Sequence, residues 1–261
     1  VLGALMMSGW PGRMHGQLGL HAVAGVVPQV SFLISPSDNI RGDTVRGHGQ
    51  AAWALPLIIG LDVLDHFDVE TGVIYETLRH RFLPSDATAR QTDGFSVELA
   101  YCKLPLQLQV NTLNPGKRFN LFCVMGFQLG LLVDAAWRRA GQPTYLPDFT
   151  LRGSALQLPV EPDYRVRDLY APMVVDVVAG LGATWTLNRH LFLECGLRFQ
   201  HAFTAVERLG YTSPSGQQPW LTAAQGAARR NVRTASAGLI FGLGYYLGFR
   251  KGTHLLHRQK S

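Results

Sequence analysis

The run from Asn231 to Arg250, NVRTASAGLIFGLGYYLGFR, restricts the fold more than any other stretch of this chain. Ala235, Ala237, Leu239, Phe241, Leu243, Tyr245, Leu247 and Phe249 form one alternating set. Thr234, Ser236, Gly238, Ile240, Gly242, Gly244, Tyr246 and Gly248 form the other. A period of two belongs to a β-strand with two different environments, whereas a helix would smear both sets around its circumference. One face is bulky and apolar throughout. The other holds too much glycine for an ordinary solvated surface, and fits a narrow lumen with lipid on the opposite side.

Composition points the same way. Charged residues make up 16% of the 261 residues, below the roughly 25% usual for soluble domains. No run approaches the ~20 uncharged apolar residues of a membrane helix. A membrane β-barrel reconciles the two, because lumen-facing positions dilute its apolar ones. The net charge is +6 and rests mostly on Arg, since Lys occurs only at 103, 117, 251 and 260. No basic helix or aromatic-basic motif accompanies that charge, so nucleic acid is not the expected partner and an anionic membrane surface is. Cys102, Cys123 and Cys195 lack metal-ligand spacing and fall on the apolar parity of their runs. No metal or cofactor is expected.

Residues 1–16, VLGALMMSGWPGRMHG, resemble the core and cleavage region of a secretory signal; the alternative is a retained N-terminal extension. The division expected is therefore 1–16 as that segment, 17–250 as the barrel, and 251–261 as a basic periplasmic tail.

Seven further alternating runs precede the last one. They begin near Gln17, Gln50, Phe67, Phe95, Arg118, Pro172 and Leu191. In the fifth, Phe119, Leu121, Cys123, Met125, Phe127, Leu129, Leu131 and Val133 oppose Asn120, Phe122, Val124, Gly126, Gln128, Gly130, Leu132 and Asp134. Long polar connections alternate with short turns near residues 65, 115 and 189, the last two carrying Asn-Pro-Gly and Asn-Arg-His. Eight strands with this alternation predict an all-β fold, an antiparallel up-and-down transmembrane barrel with short periplasmic turns and long outer loops. Both termini are then expected in the periplasm of a bacterial outer-membrane protein. Phe67, Trp185, Tyr245 and Phe249 near the turns, and Trp53, Tyr75 and Trp137 near the loops, are the expected aromatic girdles. A lipocalin-type soluble barrel is excluded, because it would bury mid-strand charges among glycines and leave an apolar wall in water.

Tyr101-Cys102-Lys103-Leu104-Pro105-Leu106-Gln107-Leu108-Gln109, the Asn114-Pro115-Gly116 turn and the run FCVMGFQLGLL carry a family resemblance. So do Leu193–Phe203 with its inward Arg198 and the closing GLGYYLGF. Together they resemble the PorT-like (OmpA-like) outer-membrane β-barrels of Bacteroidetes over about residues 17 to 250. The resemblance implies an eight-stranded barrel, sometimes an accessory of type IX secretion or gliding machinery. Lys103 departs from it, standing where that family often has an acid.

An eight-stranded interior is just filled by side chains, so an open diffusion channel is not expected. Charges within it must be paired. Counting from the turns predicts a Glu76–Lys103 pair and an Asp176–Arg198 pair, with Glu194 sharing Arg198. Such a network serves either as a structural plug or as a gated lumen. The outer Arg41, Arg46, Arg79, Arg81, Arg138, Arg139, Arg229 and Arg230 offer bidentate donors to lipid phosphates, or plain solvated charge. A rim enzyme is the alternative class. Its candidates are His48, His80, His201, Asp43, Asp86, Ser85 and Ser96, whose spacing specifies no nucleophile and base. The expected function is a non-enzymatic membrane anchor or scaffold that holds other envelope proteins through loops or periplasmic turns.

Overall fold

The computed structural model describes residues 19–34, 45–64, 66–84, 95–112, 118–139, 170–206 and 232–247. These form eight strands: β1 (Gly19–Ile34), β2 (Val45–Leu64), β3 (Phe67–Pro84), β4 (Phe95–Asn111), β5 (Phe119–Arg139), β6 (Met173–Thr186), β7 (Leu191–Ala202) and β8 (Arg233–Tyr246). Each pairs antiparallel with the next, and β8 closes onto β1 through pairs such as Ala22 with Tyr245 and Ile34 with Arg233. The result is a closed all-β barrel without edges, as the alternation predicts. Among the described residues there is no helix.

The two faces sort as the sequence requires. Leu57, Leu106, Phe127, Leu181, Phe199 and Leu243 are exposed on the outside. Their neighbours Ile58, Gln107, Gln128, Gly180, Arg198 and Gly242 point inward, most of them buried. An apolar exterior that would cost dearly in water is stable only against lipid. All three cysteines are free and outward, Cys123 and Cys195 exposed and Cys102 half-buried.

The wall is uneven. β2 to β5 hold 20, 18, 17 and 21 residues, against 16, 14, 12 and 14 for β1, β6, β7 and β8. Half the barrel therefore rises above the other half at the loop end. β2 contributes by starting at Val45, inside the segment expected to be a loop.

Besides a register shift beside the turn, between Asp62 and Leu64, two irregularities bend the tall side. Residues 50–53 of β2 oppose 77–79 of β3, a bulge that brings Thr77 Oγ1 to the backbone of Trp53. A second lies between Ala100–Tyr101 and Leu132–Asp134, where β5 carries one extra residue. It corrects two expectations, because one extra residue reverses every later side chain. Asp134, expected inside, is exposed outside. Trp137, expected in the outer girdle, takes the register position opposite the lumen-facing Val97.

Two apolar clusters fill the interior around its charges. Val23, Val27, Ala54, Ile58, Ile74, Phe192, Ile240 and Tyr246 form one. Leu78, Val97, Leu99, Tyr101, Leu132, Tyr170, Val174, Ala202 and Val206 cap the loop end. There the chain continues past the strands, with Ala171 N bonded to Val206 O and Val206 N to Val232 O.

Candidate functional site

The inward-facing charges form the most elaborate constellation in the molecule, and glycines determine who meets whom. Lys103 on β4 is opposite Ile74 on β3 and Gly130 on β5. On one side its ammonium pairs with Glu76, a diagonal neighbour on β3. On the other it passes over Gly130 and reaches Asp176 on β6, two strands away, with Nζ 2.5 Å from Oδ2. A Cβ at Gly130 would lie 3.3 Å from Lys103 Cγ and 2.8 Å from a Val174 methyl, so the crossing needs glycine there. The side chains of Lys103, Glu76 and Asp176 are 0%, 2% and 0% exposed.

Further donors complete the shell of Glu76. Gln29 Nε2 donates to its Oε1 at 2.6 Å, and Gln200 Nε2 to its Oε2 at 3.1 Å. Strands β1, β3, β4, β6 and β7 are thus tied across the lumen. The ammonium also sits 5.6 Å from the Tyr101 ring centroid, within cation–π range. Two carboxylates around one ammonium, with amides on the remaining lone pairs of Glu76, is how a charge is kept in a dry interior, although Asp176 Oδ1 is buried without a hydrogen-bond partner.

Nearer the short turns the device recurs. His21 on β1 is opposite Gly60 on β2, which is opposite Glu70 on β3. The imidazole passes over Gly60, placing Nε2 3.7 Å from Glu70 Oε1, while Nδ1 is 3.0 Å from Asp62 Oδ1. A Cβ at Gly60 would strike the ring. Phe192 and Tyr246 approach the imidazole edge-on at 6.0 and 5.9 Å. Beside it, Asn111 Nδ2 donates to Asp68 Oδ2 at 2.6 Å and Asn120 Nδ2 to Asn111 Oδ1 at 3.0 Å.

Arg198 lies between these layers, within the fields of Glu76 and Asp176 and of Glu70 and Glu194. Among the described residues it makes no ion pair, and its Nη2 is buried without a partner. This corrects the expected Asp176–Arg198 pair with Glu194 as a third member. Asp176 is opposite Ala202, four residues along β7 from Arg198, and Lys103 takes its carboxylate instead. Gly180 and Gly238 stand opposite Arg198 on its two neighbouring strands.

The remaining candidates are dispersed. Phe67, Trp185 and Tyr245 are exposed on the outer face at the turn end, with Tyr245 stacked on His190 at 5.5 Å. Trp53 and Tyr75 meet at 5.5 Å higher on the wall. Arg79 and Arg81 sit above them, Arg79 Nη2 bonding Glu98 Oε1 at 3.0 Å. Arg46 and His48 belong to β2, and Arg138 and Arg139 to β5. His80 is buried and its Nδ1 accepts from Leu33 N at 3.1 Å, while His201 is exposed on the outside of β7. Ser96 is opposite Arg81 on the outer face. Of these candidates His80 is on the lumen face of β3, whereas Ser96 and His201 are on the outer faces of β4 and β7. Phe249, Arg41, Asp43, Ser85, Asp86, Arg229 and Arg230 lie outside the described residues. Among the described residues no group of His, Cys, Asp and Glu could hold a metal ion.

A closed eight-stranded barrel with an apolar outer wall and a charged, filled lumen defines an outer-membrane β-barrel protein of bacteria. The family model for the outer membrane protein beta-barrel domain matches residues 17–208, and the chain belongs to that family. Solved structures resembling it include Neisserial surface protein A, at 9% identity and TM-score 0.44 over 87% of this chain and 96% of that one. OprG of Pseudomonas aeruginosa gives 12% and 0.43 over 88% and 96%. The outer membrane protease OmpT of Escherichia coli gives 9% and 0.41 over 88% and 97%. No curated protein matches the chain. The assignment rests on the family model.

Proposed function

We propose that this chain is a non-enzymatic subunit of a larger envelope complex, anchored by its barrel and engaging partners through its loops or periplasmic turns. The observation that carries this reading is the closed interior. The Glu76–Lys103–Asp176 triad is withdrawn from solvent, and an apolar cluster around Tyr101, Leu132 and Val206 caps the loop end. A barrel filled in this way ties its strands into a rigid post and offers its rims for contact. The likeness to PorT-like barrels favours an accessory of type IX secretion or gliding machinery. We place both termini in the periplasm, because that orientation puts the short turns there.

Affinity purification of the tagged chain from mildly solubilised outer membranes tests the reading. A stable multiprotein complex that survives His80→Ala and His201→Ala is expected. A chain that purifies alone, and turns over lipid or peptide in a His80- or His201-dependent way, would overturn it. Orientation is tested separately: a protease added to intact cells should spare a C-terminal tag on the 251–261 tail.

A further inference from the structure

The outer face of the tall wall changes character abruptly along β3. From Phe67 through Val69 and Val73 to Tyr75 it is exposed and mostly apolar. At ~3.4 Å per residue and a tilt near 40°, that run climbs roughly 21 Å, close to the ~25 Å apolar band of such barrels. Trp53 packs against Tyr75 at its upper edge, as interfacial aromatics do. The next outward positions are Thr77, Arg79 and Arg81. On the same estimate Arg79 stands ~10 Å above Tyr75, in the headgroup layer, and Arg81 one step higher.

The neighbouring strands extend this into a patch. Arg81 is opposite Ser96 on β4, and Ser96 is opposite Arg138 on β5, so two arginines flank one hydroxyl-bearing position in a single cross-strand row. One row lower, Glu98 steadies the half-exposed guanidinium of Arg79 by accepting from Nη2. Asp134 is the other acid on this face, opposite Ala100 a further row down. The short wall offers no such arginine row. Its described outward positions at the loop end include Phe32, Ile34, Ala235, His201 and Phe203, and Arg233, opposite Ile34, is the one arginine among them.

We propose that this face of the tall wall binds the phosphates of a phosphorylated glycolipid in the outer leaflet, with Arg79 and Arg81 as the donors. A guanidinium presents paired N–H donors that match two phosphate oxygens, and in the headgroup layer such bonds are weakly screened. The choice of leaflet rests on the orientation proposed above. The surface does not depend on whether the barrel serves as a scaffold.

The full-length barrel, folded into nanodiscs of neutral phosphatidylcholine, can be titrated with bisphosphorylated lipid A, with its dephosphorylated form, and with phosphatidylglycerol. Native mass spectrometry reads the bound lipid. Tightest retention of the phosphorylated glycolipid is expected, with about tenfold or greater loss in the Arg79→Gln/Arg81→Gln double variant. Heat-modifiable gel mobility shows whether that variant is folded. The two forms of glycolipid on the wild-type chain give a comparison that needs no substitution. Equal retention of the dephosphorylated form, or an unchanged affinity in the folded double variant, overturns the proposal. A preference for phosphatidylglycerol also overturns it, and assigns the face to the inner leaflet.

Discussion

Two layers of the lumen use the same construction and differ in what surrounds it. In each, a basic side chain crosses a glycine on the adjacent strand and reaches a carboxylate two strands away: Lys103 over Gly130 to Asp176, and His21 over Gly60 to Glu70. The upper layer is dry, with its three charged side chains at most 2% exposed. The lower layer opens toward the turns, where Asp62 is 21% exposed, and it holds more acids than bases. Glycine on an inner face therefore has a specific use here: it is a window through which one strand's charge reads another's. What the ion pair contributes depends on the water behind it.

Lys103→Met separates the two layers most strongly. It leaves Glu76 and Asp176 buried without their cation, which costs about 3–5 kcal/mol when one partner of a buried pair is removed. Urea unfolding of the barrel in lipid vesicles, followed by heat-modifiable mobility, should show that loss. Adding Glu76→Gln and Asp176→Asn sharpens the reading, since neutralising the whole triad removes the desolvation penalty. The triple variant should recover to within about 1–2 kcal/mol of the wild-type chain. A triple variant as unstable as the single one would mean that packing, and not charge, sets the cost.

Gly130→Val tests the window itself. The new side chain meets Val174 and the Lys103 stem in a closely packed interior. Overpacking of this kind costs about 1–3 kcal/mol. The same unfolding measurement should place it between the wild type and Lys103→Met. If it matches the wild type, the lysine does not need that route.

The fold was legible in the chain because a two-residue period survives in all eight strands, and lipid on one side makes any slip expensive. Glu76 and Lys103 were legible as neighbours because they stand on consecutive strands. The partner of Asp176 was not. Counting heights pairs it with the next strand's Arg198, yet Lys103 arrives from two strands away through Gly130, a contact no linear count contains. Asp134 and Trp137 were misplaced for a different reason. A single extra residue near Tyr101–Leu132 reverses the faces beyond it, and nothing in VDAAWRR marks a bulge. The glycines were visible as a pattern from the outset; their use became visible only with the register.

The smallest effect belongs to His21→Gln in the lower layer. The substitution keeps a polar group near Asp62 and Glu70 and gives up the edge-on contacts with Phe192 and Tyr246. Asp62 is partly exposed and can draw on water, and the glutamine amide still donates to the buried Glu70, so the expected loss is about 1 kcal/mol. Asp68 stays tied to Asn111, and through Asn111 to Asn120, so the hydrogen-bonded floor of the lumen persists. Measured beside Lys103→Met under identical conditions, a comparable loss of about 3 kcal/mol or more would show that the lower layer is as dry as the upper one. The distinction between the two layers would then fail. A small loss confirms that the barrel is held shut at mid-height, where Lys103 spans three strands, and is open to water below.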